Sequence, residues 1–178
     1  YYVVNKLMKG FIGSANIDTN SRLCMSSVVA AQKRAFGSDT VPGCYEDLER
    51  AKLIVITGSN MAWCHPVLYQ RIVKAKKDNP DLMIVVIDPR RTVTADIADM
   101  FLAIRPATDA ILFNGLLSYL DAHEEHNGLF INQCTAGLDQ ALQAAQATAG
   151  DIAGVAEQCG LDADQVESFF RLFARTER

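Results

Sequence analysis

Three uninterrupted apolar runs mark the middle of the chain: Leu53-Ile54-Val55-Ile56, Met83-Ile84-Val85-Val86-Ile87 and Met100-Phe101-Leu102-Ala103-Ile104. A strand wetted on one face alternates apolar with polar residues. These runs do not, so each is expected to be buried on both faces, in a parallel sheet covered by helices. Between the first two, His65 to Lys77 carries helical periodicity. Pro66 suits the first helical turn, and Val67, Leu68, Ile72 and Val73 are expected to face inward. Strand, helix and strand make a βαβ unit. Asp88 to Asp99, 12 residues, leave room only for a turn and a short helix before the third run.

The flanks read as helices. Before the sheet, Val3, Val4, Leu7, Met8 and Phe11 recur at helical spacing, with Gly10 and Gly13 at the end. Asn16 to Arg22 is a polar loop. A second helix should begin near Leu23, capped by Ser21 or Asn20, with Met25, Val28, Val29 and Phe36 as its apolar stripe and Gly37 as its stop. Tyr45 to Ala51 reads as a short helix. After the sheet, helical patterns follow at Asp109–Ala122, Leu129–Cys134, Leu138–Thr148, Ile152–Cys159 and Ala163–Ala174. Gly150 with Asp151, and Gly160 with Asp162, are stop-and-cap pairs. The expected class is therefore α/β: a Rossmann-like parallel sheet flanked by helices, with a helical C-terminal part. Three segments are expected: helical 1–52, a dinucleotide-binding core 53–122 and a helical extension 123–178, together one compact domain.

Composition narrows the partners. The chain has 178 residues and a net charge of −4, with no basic cluster, which argues against nucleic acid. No run is long and apolar enough for a membrane span, and Tyr1 to Gly10 lack the order of a signal peptide. Five cysteines, none spaced Cys-x-x-Cys, argue against a disulfide framework and for a reducing, cytoplasmic setting. His123 and His126 beside Glu124 and Glu125 are better read as a solvated helix end than as a metal site, having no cysteine or third histidine nearby.

In open α/β sheets, ligands sit beyond the carboxyl ends of the strands. Three sequence pieces fall there. Thr57-Gly58-Ser59-Asn60 follows the first strand. Gly58 lets backbone approach a ligand, and Ser59 and Asn60 can donate to phosphate oxygens. The loop is not G-x-G-x-x-G, so the NAD fingerprint is absent. Asp88-Pro89-Arg90-Arg91-Thr92 follows the second strand, with a carboxylate suited to ribose hydroxyls and guanidiniums suited to phosphate. Pro106-Ala107-Thr108-Asp109 follows the third, and Asp109 can accept from the N1–H and exocyclic amine of guanine. Each has a plainer reading: a tight turn at Gly58, a helix cap at Asp88, Thr108 or Asp109, a solvated pair at Arg90 and Arg91. Three such loops at consecutive strand ends favour a nucleotide-like ligand. Separately, Cys24 falls at the expected start of a helix beside Arg22, where dipole and charge favour thiolate, a nucleophile or soft-metal ligand. A buried, inert thiol is the alternative. Cys44, Cys64, Cys134 and Cys159 have no such setting.

Met8-Lys9-Gly10-Phe11-Ile12-Gly13, followed by the stretch from Asn16 to Ser27 around Cys24, resembles the molybdenum-ligand region of bacterial nitrate reductases. These belong to the dimethyl-sulfoxide-reductase family of molybdopterin oxidoreductases. Phe36-Gly37-Ser38-Asp39, Gly43 to Asp47, Gly58-Ser59-Asn60 with His65-Pro66, Asp88 to Thr92 and Thr108-Asp109 follow in the family's order. The likeness is greatest to the assimilatory, cytoplasmic branch and strongest over residues 5 to 120.

The resemblance implies molybdenum held between two molybdopterin guanine dinucleotides, that is, a molybdenum bis(molybdopterin guanine dinucleotide) cofactor. It makes Cys24 the metal's thiolate ligand and Met25 its neighbour at the reacting centre, and puts Asn20 near the pterin. Thr57, Gly58, Ser59 and Asn60 would hold one dinucleotide's phosphates. Asp88, Pro89, Arg90, Arg91 and Thr92 would hold its ribose and phosphates, and Thr108 and Asp109 would read guanine. The implied reaction is reduction of nitrate to nitrite, with electrons from ferredoxin, flavodoxin or an NADH-linked partner. The family's four cysteines for a [4Fe–4S] cluster are missing, as are the second dinucleotide's main loops. The expectation is thus a piece of a longer polypeptide, inactive alone, with the cluster in a missing N-terminal part. A formate dehydrogenase of the same family is the nearer alternative. There a histidine follows the metal-binding residue, and here Met25 does. A stand-alone nucleotide-binding module is the alternative from another class.

Overall fold

In the computed structural model, which describes residues 1–18, 25–40 and 42–176, the three apolar runs pair as one parallel sheet. Strand β1 is Leu53–Thr57, β2 is Met83–Ile87 and β3 is Met100–Leu102, in the order β1-β2-β3. The register sets Leu53 against Met83 and Thr57 against Ile87, then Val85 against Met100 and Ile87 against Leu102.

The central strand explains the absence of polar alternation. Successive side chains leave a strand on opposite faces. Ile84 and Val86 join Ile54, Ile56, Ile72, Ala75, Leu82 and Ala95 in one buried cluster. Val85 and Ile87 join Leu102, Ile104, Leu112, Leu116, Val155, Val166, Phe169 and Phe170 in another. Both faces are covered, so every position is apolar.

The chain divides into two compact units, Tyr1–Cys44 and Tyr45–Arg178. In the first, helix α1 (Tyr2–Asn5) runs into a π-helical segment, Lys6–Ile12, that ends at Gly13. Helix α2 (Ser26–Phe36) stops at Gly37, which takes the left-handed conformation. The expected stripes exist as helix but not as core. None of the unit's described residues is buried, and Phe11 and Phe36 are 78% and 63% exposed. The π-type winding also departs from the 3.6-residue period expected of Val3 to Phe11. The expected start of α2 at Leu23 and its caps Ser21 and Asn20 lie outside the described residues. Met25 holds the N-cap position, without a side-chain hydrogen bond.

The second unit adds α3 (Asp47–Arg50), α4 (Met61–Cys64), α5 (Pro66–Asp78), a 3-10 helix at Val93–Ile97, and α6 (Asp109–Ala122). The chain continues with α7 (Gly128–Cys134), α8 (Leu138–Ala149), α9 (Ile152–Cys159) and α10 (Ala163–Arg175). Pro66 opens α5, as its fixed φ and missing N–H favour. Val67, expected inward, is 74% exposed. It lies in the first turn of α5, about 140° around the helix from the buried Ile72. Strand β3 ends at Leu102 rather than Ile104, because the Ile104 N–H turns back to the Leu102 carbonyl at 3.0 Å. Ile104 is buried all the same. At the amino end of the sheet Lys76 pairs with Asp99 at 2.9 Å, and Asp99 also accepts the Ile84 N–H at 2.8 Å. Among the described residues, no helix is long and apolar enough to cross a membrane.

Candidate functional site

The three loops singled out in the sequence leave the carboxyl ends of β1, β2 and β3, and hydrogen bonds tie the first two together. At Gly58 the backbone takes a φ of 57°, a conformation that a β-carbon disfavours, and nothing lies within 4 Å of where that carbon would be. Its N–H donates to the Ile87 carbonyl at 2.8 Å, so β1 and β2 leave the sheet together. Thr57 is the last residue of β1 and Ser59 is half-buried. Asn60 holds the N-cap position of α4, where its own side chain makes no capping bond. Instead, Thr94 of the 3-10 helix reaches across. Its hydroxyl accepts the Ala62 N–H at 3.1 Å and donates to Asn60 Oδ1 at 3.2 Å.

The second loop is held by its own turn. The Asp88 N–H donates to the Leu102 carbonyl of β3 at 3.2 Å, and Asp88 Oδ1 accepts the Arg90 N–H at 2.8 Å. Asp88 is therefore a turn former, not a helix cap; Thr92 has the N-cap position of the 3-10 helix. Pro89 is exposed. The two arginines are not equivalent. Arg91 lies over the Phe101 ring, 5.2 Å from its centroid, and donates to the Ala95 carbonyl at 3.4 Å. Arg90 is exposed, and its guanidinium has no partner among the described residues. Thr92 Oγ1 is buried and has no hydrogen-bond partner among the described residues. A buried polar atom left unpaired costs about 1–3 kcal/mol, and Ser118 Oγ in α6 is the other such atom among the described residues.

The third loop is strained and braced. Ala107 has a φ of 66°, rare for a residue with a β-carbon. The Arg105 N–H donates to the Cys159 carbonyl at 2.7 Å and its guanidinium to the Glu157 carbonyl at 2.8 Å, fastening the loop to the end of α9. Thr108 is the N-cap residue of α6, but its hydroxyl donates back to the Arg105 carbonyl at 2.7 Å. Asp109 is half-buried in the first turn of α6. Neither hydrogen-bonds to the other two loops among the described residues. Behind them Cys159 is buried, its thiol 3.7 Å from the Thr108 carbonyl. Burial pushes that thiol's pKa up, and the Asp109 charge adds to the shift; the Thr108 bond and Arg105 oppose it. Sequence reasoning did not find Thr94 or Arg105, whose partners lie more than 30 residues away.

Cys24 and Asn20, the metal-ligand and pterin candidates, lie outside the described residues. Met25 belongs to the Tyr1–Cys44 unit and is exposed. Among the described residues no three His, Cys, Asp or Glu side chains gather as metal ligands. His123 closes α6, stacking on Tyr119 with ring centroids 4.0 Å apart.

The chain resembles known proteins over its whole length. The chain is 53% identical over 178 residues to a protein named nitrate reductase from Klebsiella oxytoca, covering all of this chain and 20% of that protein. It is 49% identical over 178 residues to one of the same name from Shewanella frigidimarina, covering 100% of this chain and 19% of that protein. A periplasmic nitrate reductase from Desulfovibrio desulfuricans is 36% identical over 98% of this chain and 24% of its own length. The chain thus spans about a fifth of the relatives it matches. Acetylene hydratase from Pelobacter acetylenicus shares the fold, with a TM-score of 0.75 and 23% identity over 99% of this chain and 23% of that one. The family described as molybdopterin oxidoreductase matches residues 1–149. A match over that share of the chain makes this chain a member of the molybdopterin oxidoreductase family.

Proposed function

We propose that the chain is part of a molybdenum-dependent nitrate reductase and that its three strand-end loops hold one guanine dinucleotide of the molybdopterin cofactor. The observation that carries the reading is the buried, partnerless Thr92 hydroxyl in the second loop. It fits a bound group that supplies the missing hydrogen-bond partner. The unpaired Arg90 guanidinium and the open backbone at Gly58 fit the same anionic group.

Each loop then has a task. Asn60 and Ser59 donate to phosphate oxygens. Arg90 supplies the mobile positive charge, while Arg91, held on Phe101, shapes the loop. Asp88 turns the chain, and its free oxygen is available to a ribose hydroxyl. Asp109, with its carboxylate at the start of α6, accepts from guanine's two adjacent donors. Cys24 is the thiolate ligand, Met25 is its neighbour, and Asn20 lies by the pterin. When bound, the molybdenum centre supplies the two-electron chemistry that takes nitrate to nitrite. The reading assigns the [4Fe–4S] relay and the second dinucleotide's loops to the rest of a longer polypeptide. It assigns electron delivery to a ferredoxin, flavodoxin or NADH-linked partner, and the setting to the cytoplasm.

The test is made in the whole enzyme. Cys24→Ser replaces a soft thiolate with a protonated hydroxyl and is expected to abolish nitrite formation from nitrate with reduced viologen. Asp109→Asn leaves a guanine donor facing a donor and is expected to lower the guanine nucleotide released from denatured enzyme. Full activity in the first variant refutes the ligand assignment. Undiminished nucleotide in the second makes Asp109 a helix-end residue only.

A further inference from the structure

Thr94 is the one buried polar residue among the described core, and it lies in the 3-10 helix, outside all three loops of the dinucleotide site. An asparagine at a helix N-cap ordinarily turns its side-chain oxygen onto an N–H of the first turn. Asn60 does not. The Ala62 N–H of that turn goes to Thr94 Oγ1 instead. With a lone pair so used and the residue fully buried, the Thr94 proton has one acceptor within reach, Asn60 Oδ1 at 3.2 Å. Turning the Asn60 amide over would bring its NH2 group to Thr94 and leave the buried hydroxyl proton without an acceptor. The relay from Ala62 N–H through Thr94 to Asn60 therefore fixes the amide's orientation. Its oxygen points inward, and its NH2 group has no partner among the described residues.

We infer that Thr94 is a positioning residue of the site. It relieves Asn60 of capping α4 and makes it present two N–H donors, and no acceptor, to the bound group. Such a donor face selects an anion, a phosphate oxygen above all. The same relay couples the first loop to the segment after β2, so phosphate contacts from both loops are set together. This inference rests on the dinucleotide reading proposed above.

Guanosine diphosphate is the probe, titrated into this chain by calorimetry and followed at the Asn60 side-chain amide by 15N-labelled NMR. Thr94→Ser keeps the hydroxyl, and Thr94→Val keeps the shape without it. In the wild type and Thr94→Ser, binding should shift the Asn60 NH2 resonances. Thr94→Val should weaken binding by about tenfold, the scale of one hydrogen bond to a charged group, and leave those resonances unmoved. Asn60→Ala should weaken binding similarly, and adding Thr94→Val to it should cost little more, because both act through one amide. A Thr94→Val chain that binds as tightly as the wild type, or additive losses in the double variant, overturns the inference while leaving the dinucleotide reading intact. A wild-type chain that does not bind the probe overturns that reading, and this inference with it.

Discussion

Both units of the chain are rich in helix, but among the described residues only one of them has a buried core. In Tyr45–Arg178 both faces of a three-stranded sheet are sealed, one by α5 and the 3-10 helix, the other by α6, α8, α9 and α10. In Tyr1–Cys44 no described residue is buried, and Tyr2, Val3, Leu7, Phe11, Val28 and Phe36 are exposed. Periodicity alone thus specifies helix in both, but stabilises a fold only where another apolar surface lies opposite. The apolar positions of the first unit are far more than solubility or helix propensity calls for.

Substitution should separate the two units sharply. Phe169→Ala, in the fully sealed cluster, is expected to cost about 3–5 kcal/mol in urea unfolding. Phe36→Ala, on the exposed stripe, should stay within about 0.5 kcal/mol in the same assay. Equal effects would erase the contrast. Overpacking gives a second, smaller step. A β-carbon at Gly115 would stand 2.6 Å from a Val155 methyl, so Gly115→Ala should destabilise by about 1–3 kcal/mol.

Ala107 tests strain at the site rather than packing. Glycine tolerates its φ of 66° at no steric cost, so Ala107→Gly should raise stability by up to ~1 kcal/mol. A loss there would mean that the β-carbon is held by contacts that outweigh the strain. The smallest effect is pH-dependent. Cys159 titrates higher folded than unfolded, because burial disfavours its thiolate. Its contribution is complete below the ordinary thiol value of 9.0 and is lost as the pH rises through the folded value. Thermal unfolding of the wild type and Cys159→Ala should therefore converge on the alkaline side. Parallel curves would show that the thiol does not titrate differently on folding.

The sequence was most legible where one physical cause acted locally. The strands of the second unit are continuous apolar runs because both faces are dry. Helix α9 has the expected bounds because Asp151 caps it, accepting the Gly154 N–H at 2.8 Å, and Gly160 ends it in the left-handed conformation. Asp162 and Gln165 then close a capping box on α10. Legibility failed where long-range partners decide. Val67 looks inward in the sequence, and only the packing of Ile72 and Ala75 shows which face is covered. Of the site, the three loops could be read from strand ends and turn residues. The braces could not: Thr94 lies in the unremarkable stretch Val93–Ile97, 32 residues from Ala62, and Arg105 reaches 52 residues to Glu157.

Under the proposed function, these three loops act as one guanine-dinucleotide site. A backbone amide shift map of the chain, titrated in parallel with guanosine and adenosine diphosphate, tests it most directly. Guanosine diphosphate should perturb residues 57–60, 88–92 and 106–110 together. The adenine nucleotide should perturb the first two loops more weakly and leave Asp109 unmoved. Shifts confined elsewhere, or identical maps for the two nucleotides, would contradict it.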